Sequence, residues 1–325
     1  MSDNNKTSYF TLIIIALFAS RLAAQWNPSN EGIGTNTPHV LMKNDSRFFA
    51  CGFEGVFISD DGKNWQLKKT ETNGAAGFYS MTKTDDGMMV AGLGGCFKST
   101  DNGLTWKKFM FDQKFYSFSS INAKEKDLYA ESIDGLFLAD NNGRNTRSIS
   151  GSIKDLTYLD EDGELQKVSS VYAVLLRNDA IYIGTGNGVY VSTNKGDKWQ
   201  SLSKGLPKGK SVTRIFAMGP LLFAAFENAG SYVSANNGES WTKLEGGLPK
   251  KPYIIAMATS GNILFASVFR NGVFYSTDNG ATWIEMNEGL GKKERGFSLL
   301  ADGNNLYAGL VDKGIYVYDI SKLAK

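Results

Sequence analysis

The residues whose setting first suggests chemistry are two aspartates in near-identical surroundings. Asp101 lies in Ser99-Thr-Asp101-Asn-Gly103-Leu-Thr105-Trp106, and Asp278 lies in Ser276-Thr-Asp278-Asn-Gly280-Ala-Thr282-Trp283. A carboxylate flanked by two hydroxyls could act as a general acid or base, or hold a hard cation. The same pattern returns elsewhere, however. Ser192, Asn194, Gly196 and Trp199 repeat it with Asn for Asp, as do Ser234, Asn236, Gly238 and Trp241. Ser59, Asp61, Gly62 and Trp65 form a version one residue shorter, and 139–146 is a decayed copy ending in Thr146 instead of Trp. A catalytic group is needed once; a group present in repeat after repeat serves the fold. A short Asp or Asn side chain accepts bonds from the amides of its own tight turn, Gly tolerates positive φ there, and Trp offers a large apolar face. Asp61, Asp101 and Asp278, with their Gly and Trp partners, are therefore read as turn structure.

Other chemistry-bearing residues are sparse. His39 is the single histidine, which disfavours a His-based triad or a His-rich metal site. It aligns with Phe78 and Phe115 at the start of a strand, and a structural role is expected. Cys51 and Cys96 are too few for a disulfide framework and match no metal-ligand spacing; two separate buried thiols are expected, with a bridge as the alternative. The acidic run Asp160-Glu-Asp-Gly-Glu164 lacks calcium-loop spacing and reads as a solvated turn. No cofactor motif is found. The 325 residues carry a formal net charge of +2, which gives no bulk attraction to nucleic acid or an anionic membrane.

The elements that position these residues follow from an internal repeat. Segments of the form Gly-x-aromatic-x-small, with Tyr318 in place of the small residue in the last, begin at Gly55, Gly95, Gly135, Gly188, Gly230, Gly272 and Gly314, spaced 40, 40, 53, 42, 42 and 42 residues apart. That period fits a four-stranded blade, and seven copies predict an all-β, seven-bladed propeller. Each copy follows a β-rich run such as Phe48–Cys51 or Leu264–Ala266, so the two read as strands B and C of a hairpin. The strand lining the channel, A, is expected at Tyr79–Met81, Tyr116–Phe118, Tyr172–Leu175, Ile215–Met218 and Ile254–Met257. The long interval marks an inserted hairpin near 150–168.

The first 24 residues stand apart. Lys6 precedes an apolar run from Phe10 to Ala19, followed by Arg21-Leu-Ala-Ala24. The run is too short to span a bilayer core of roughly 30 Å as a helix and reads as a secretory signal cut after Ala24, with a retained anchor as the alternative. The segment carries Asp3, Lys6 and Arg21, leaving +1 on residues 25–325, which are expected to form one propeller outside the cytoplasm. All six tryptophans fall on the repeat grid, and Trp26 lies 39 residues before Trp65 with no strand C ahead of it. The last repeat ends at Lys325, too soon for its own strand D. Residues 25–27 are thus expected to supply that strand and close the ring.

Across roughly residues 25–325 these motifs resemble the Asp-box (BNR-repeat) propellers, among them sialidases, xyloglucanase-type glycoside hydrolases, sortilin-type receptors and the photosystem II assembly and stability factor family. Seven blades on one chain look most like the last group and its bacterial relatives. The resemblance implies a fold more than a task, because one fold hosts many functions. A sialidase needs an arginine triad and an Arg-Ile-Pro motif; no Arg-Ile-Pro occurs and the arginines are scattered. Xyloglucanases use a cleft between two propellers, and one is found here. In the photosystem II relatives an arginine-rich patch on the propeller is implicated in binding.

In such a ring the D–A and B–C loops share one face, where ligands are usually met. Three consecutive D–A loops are related: Gly205-Leu-Pro-Lys208-Gly-Lys210, Gly247-Leu-Pro-Lys250-Lys251 and Gly289-Leu-Gly-Lys292-Lys293-Glu-Arg295. They predict a basic arc, joined near the channel mouth by Arg214 and Arg295, aligned with Lys114 and Tyr253; Arg270, with Phe53, Phe226, Phe269 and Asp312, belongs to the B–C loops. Repeated solvated lysines are the plainer reading of the same pattern. The expected function is a secreted, monomeric, non-catalytic binding or assembly module for a protein or an anionic glycan. The alternative is a carbohydrate-active enzyme, a hydrolase or lyase, which would need two carboxylates converging at the channel mouth.

Overall fold

A computed structural model describes residues 25–323, apart from 69, 71–76, 114–116, 151–152, 154–156, 160–164, 168–169 and 291–294. Seven four-stranded antiparallel sheets follow one another along the chain. The first blade runs Pro38–Asn44, Arg47–Gly52, Gly55–Ser59 and Gln66–Lys68, and the next five repeat this A-B-C-D order. In the seventh blade strands A to C (Gly296–Asp302, Asn305–Leu310, Gly314–Asp319) come from the end of the chain, and strand D is Asn27–Pro28, pairing Asn27 with Val317 and Pro28 with Tyr316. The ring is closed by the N-terminal strand. Trp26 secures the joint: it is buried, its Nε1 donates to the Met286 carbonyl at 2.6 Å, its amide donates to Glu288, and its ring lies 5.4 Å from Tyr318.

The core consists of seven apolar wedges, one between each neighbouring pair of blades. Each strand-D tryptophan enters the wedge toward the preceding blade, as Trp106 does beside Phe49 and Trp283 beside Phe223. The third blade has Thr146 at that place. There Phe109, Phe111 and Phe118 fill the wedge instead, with ring centroids 5.3 and 5.5 Å apart. This placement corrects the expected strand A at Tyr116–Phe118: Phe118 is wedge filler just ahead of the strand, which is Ser120–Lys124. Hydroxyls of the second blade reach across to this strand's backbone, Ser80 Oγ to Ile121 and Thr82 Oγ1 from the Ala123 amide.

The C–D turns show why the motif recurs. Ser99 Oγ donates to Asp101 Oδ1 at 2.8 Å and accepts from the Gly103 amide at 2.8 Å; Asp101 in turn accepts from the Thr105 amide and hydroxyl at 2.9 and 2.6 Å. Asp278 repeats this arrangement, and Asn194 and Asn236 reproduce its core. Two successive residues, such as Asn102 and Gly103, take positive φ of 53° and 82°. A Cβ at Gly103 would lie 2.3 Å from the Phe49 ring, so the position requires glycine for space as well as for φ. In the decayed copy Asp140, not Asn141, accepts the turn amides, from Asn142 and Arg144 at 2.9 Å each. Burial raises the Asp101 carboxyl, but bonds from Thr105 and Ser99 outweigh it and bring it down to about 2. Bonds from Thr282 and Ser276 hold Asp278 at about 2 as well.

Both cysteines are free and buried, in different wedges, and burial raises Cys51 to about 12 and Cys96 higher still. Within the long interval Thr157–Leu159 pairs with Leu165–Lys167 as a two-stranded hairpin. The acidic run 160–164 and the N-terminal 24 residues lie outside the described residues. Among the described residues no helix is long and apolar enough to cross a membrane.

Candidate functional site

The start of strand A carries a backbone irregularity. In five blades the A–B register slips at one residue: His39, Tyr79, Tyr172, Ile255 and Phe297. Each is the extra residue of a β-bulge, a device that re-aims a side chain at a sheet end. The equivalent positions in the third and fifth blades are Ser119 and Thr213. His39, Tyr79, Ser119, Tyr172, Thr213 and Ile255 all line one cavity of about 550 Å³ on the face of the D–A and B–C loops. The expected alignment of His39 with Phe78 is thus off by one. Pro38 holds the place equivalent to Phe78, pairing with Gly52 as Phe78 pairs with Gly92, and the bulge hides the slip from a period-2 reading.

A second cavity, of about 500 Å³, runs between the third and fourth blades and shares Tyr79, Ser119, Glu131 and Tyr172 with the first. Strand A of the fourth blade, Val171–Arg177, is only half-buried along its length, whereas strand A of the sixth blade is buried over its first five residues. The rim is apolar on this side. Phe53, Leu93 and Ile133 hold equivalent places at the tips of three consecutive B–C turns, and all are exposed, Ile133 by 89%. His39 stacks on Tyr79 at 5.2 Å and meets Phe53 edge-on at 4.6 Å. Burial lowers the His39 imidazole, partly offset by the bond between its Nδ1 and the Phe78 carbonyl.

Glu131 is the polar centre shared by both cavities and is only 6% exposed. It is the fifth residue of its strand B, a place held in the other blades by Cys51, Ala91, Gly184, Ala225, Ser267 and Gly309. Burial raises its carboxyl to about 7; Ser119 and, from the fifth blade, the charge of Arg214 pull the other way. No ion pair within 4 Å holds it among the described residues. Arg214 is also out of keeping with its ring position, where the other blades have Val40, Ser80, Ser120, Ala173, Ala256 and Ser298. It is exposed, lines the larger cavity and donates to the Thr213 carbonyl at 2.8 Å.

The residues expected on the ligand face divide accordingly. Arg214 lines the mouth, and Tyr253 is half-buried next to it, its hydroxyl bonded to Thr213 at 3.1 Å. Arg295 shares the register position of Tyr253, but Arg214 lies three positions further along its strand, so the two arginines are not equivalent. Lys208, Lys210, Lys250, Lys251, Arg270 and Arg295 are exposed and line neither cavity; Arg270 lies over the Phe269 ring at 5.2 Å. Lys114, Lys292 and Lys293 lie outside the described residues. Ion pairs instead concentrate on the opposite face, where Lys43–Asp302, Arg47–Asp60, Lys98–Asp86, Lys124–Asp179, Arg147–Asp197 and Lys195–Asp127 bind the A–B and C–D turns. Among the described residues no group of three His, Cys, Asp or Glu side chains is placed to hold a metal ion. Sequence reasoning missed Glu131, Leu93 and Ile133. Stacking the seven strand-B sequences in register would have found Glu131 as the one charged residue in a column of small ones.

Seven closed blades and a loop-face mouth define the chain as a seven-bladed β-propeller. Residues 157–316 match the family described as DUF6242 beta propeller domain. No curated protein matches the chain significantly. Among solved structures, the extracellular domain of the putative one component system BT4673 from B. thetaiotaomicron is similar at 16% identity and a TM-score of 0.72, over 90% of this chain but only 40% of that one. YCF48 bound to D1 peptide is similar at 14% identity and a TM-score of 0.69, over 91% of this chain and 96% of that one. The GH74 xyloglucanase from Xanthomonas campestris aligns at 15% identity and a TM-score of 0.68, over 93% and 54%. At these identities the likeness establishes the fold.

Proposed function

We propose that this propeller is a non-catalytic, secreted binding module that holds a protein segment across its loop face. The observation that carries the reading is the exposed apolar arc of Phe53, Leu93, Ile133 and Tyr172 bordering two joined cavities. Solvent-exposed Leu and Ile at three successive loop tips suit apolar side chains of a partner better than the hydroxyl-covered surface of a glycan. Lys208, Lys250 and Arg270, across the mouth, steer acidic parts of the same partner, and that contribution is salt-dependent. A similar fold has been solved with a peptide bound, and that mode supports the reading.

The test is a screen of the folded protein against a random peptide library, with enriched peptides re-measured on Ile133→Asp and on Lys208→Glu/Lys250→Glu. The reading expects Ile133→Asp to abolish binding and the charge reversal to weaken it mainly at low salt. It fails if no peptide is enriched, or if enriched peptides bind both variants as they bind the parent.

Glycoside hydrolysis is a second reading, favoured by one observation: Glu131 has the raised pKa of a general acid. It needs a second carboxyl facing the first, roughly 5–10 Å away. Among the described residues the only other acidic one lining either cavity is Asp134, three positions along the same hairpin, so none of them brings a carboxyl from the opposite wall. Release of reducing sugar from a polysaccharide panel, lost in Glu131→Gln, would revive it.

A further inference from the structure

The place held by Glu131 is hostile to a carboxylate. Six blades put Cys, Ala, Gly or Ser there, because strand B passes tightly against the start of the next blade. At Gly184, for example, a Cβ would come within 2.4 Å of the Val212 carbonyl oxygen. In the third blade the following strand A is only partly buried, the cavity opens, and a glutamate occupies the slot, almost fully buried and, among the described residues, without a cationic partner in contact. Tyr79 and Tyr172 line both cavities with it. A buried carboxyl beside aromatic faces is the arrangement that receives an organic cation: the carboxylate supplies a charge-assisted bond and the rings an attractive quadrupole.

We propose that the cleft between the third and fourth blades is a recognition pocket for a basic group, a guanidinium or primary ammonium on the bound segment, received by Glu131 between Tyr79 and Tyr172. The proposal rests on the peptide-binding reading for its biological ligand, but the pocket can be probed without any peptide. The unfavourable burial of an unpaired carboxylate is relieved when the cation enters, so specificity for a basic residue is built in. Among the described residues, the charged and titratable groups around the carboxyl are Arg214 from the fifth blade, Asp134 from the adjoining turn, His39 from the first blade and the two tyrosines. Arg214 is exposed, directed to the Thr213 carbonyl and not in ion-pair contact with Glu131, so it leaves the carboxylate open to a second cation.

The experiment uses n-butylguanidinium and its neutral counterpart N-butylurea as probes of the folded protein, followed by the 13C shift of the Glu131 carboxyl and by direct titration. Butylguanidinium is expected to bind above neutral pH, to weaken as the carboxyl protonates, and to lower the midpoint of the Glu131 titration. Butylurea should bind at least about tenfold more weakly, the ratio that one good charged contact gives. Glu131→Gln should lose the preference, and Tyr172→Ala should weaken guanidinium binding while leaving the Glu131 titration of the free protein in place. Equal binding of the two probes, equal binding by Glu131→Gln, or no saturable guanidinium binding at pH 8 would each overturn the pocket. Any of these, with peptides still enriched on the loop face, would leave the proposed function standing. Failure of the peptide screen with a working pocket would separate the two in the other sense.

Discussion

A carboxyl forced into a slot meant for a small residue should make this protein less stable as pH rises through neutrality, and the size of the effect can be worked out. Glu131 is raised from 4.5 to about 7 by burial. Between these values the folded state holds a proton that the unfolded chain has released. Stability therefore falls with rising pH in that window, by about 1.4 kcal/mol per pH unit at most, and is fully reduced above 7. The integrated loss is about 3 kcal/mol. With an unfolding entropy of about 2 cal/mol/K per residue over some 300 residues, that corresponds to a Tm lowered by roughly 5 °C between pH 5 and pH 8. Glu131→Gln mimics the protonated form and should abolish this part of the slope, making the variant more stable than the parent at pH 8 and nearly equal at pH 5. His39 acts with the opposite sign, since a lowered imidazole pKa adds stability as pH rises toward 6.5. The difference between parent and variant removes that background. Calorimetric melting of both proteins from pH 4.5 to 8.5 is the assay; parallel Tm curves for the two would refute the argument that Glu131 is buried unpaired.

Other consequences follow from the same structure. Trp26→Ala should destabilise by about 4–6 kcal/mol, combining loss of a buried indole with an orphaned Met286 carbonyl. Chemical denaturation should show the loss, and Trp199→Ala, at a half-buried site with a 3.2 Å bond, should cost distinctly less. Asp278→Asn should be nearly neutral at pH 7, because Asn194 and Asn236 already run the same turn, while Asp278→Ala should cost about 1 kcal/mol, the worth of a lost capping bond at an exposed site. Asp101 and Asp278 have depressed pKa values, so their contribution is present above the ordinary carboxylate range and lost as pH falls toward about 2; Asp101→Asn/Asp278→Asn should flatten the acid limb of a melting profile. Cys51 and Cys96 should resist a thiol reagent at pH 8 in the folded protein and react once denaturant is added.

The fold was legible because it is written seven times. Glycine-led segments at a 40–42-residue interval, broken once by an interval of 53, the Ser-x-Asp/Asn-x-Gly turns and the isolated Trp26 each report a different level of the architecture, and they agree. What periodicity could not show was anything that departs from a two-residue repeat. The bulges at His39, Tyr79, Tyr172, Ile255 and Phe297 insert one residue without leaving a composition signal, and the first four shift the expected channel face by a position. In the third blade the aromatic run ending at Phe118 imitated a strand, when Phe118, with Phe109 and Phe111, replaces a missing tryptophan in the wedge. The basic loops were conspicuous because they recur, yet Lys208, Lys210, Lys250 and Lys251 stay on the exposed rim and line neither cavity.

Recurrence and function pull in opposite directions here. Every wedge needs the same small residue at the fifth place of strand B and the same uncharged residue at the start of strand A, because every wedge solves the same packing problem. A side chain that breaks either column gains nothing from the fold, and where it is buried, as Glu131 is, it incurs its desolvation. Glu131 breaks the first column and Arg214 the second, and the two exceptions, two blades apart in the ring, line one cavity. The aspartates that first drew attention obey the repeat and belong to its turns. The residues most promising for recognition are those the repeat would not have chosen, and their convergence at one mouth is what separates a binding site from an ordinary imperfection in a repeated sequence.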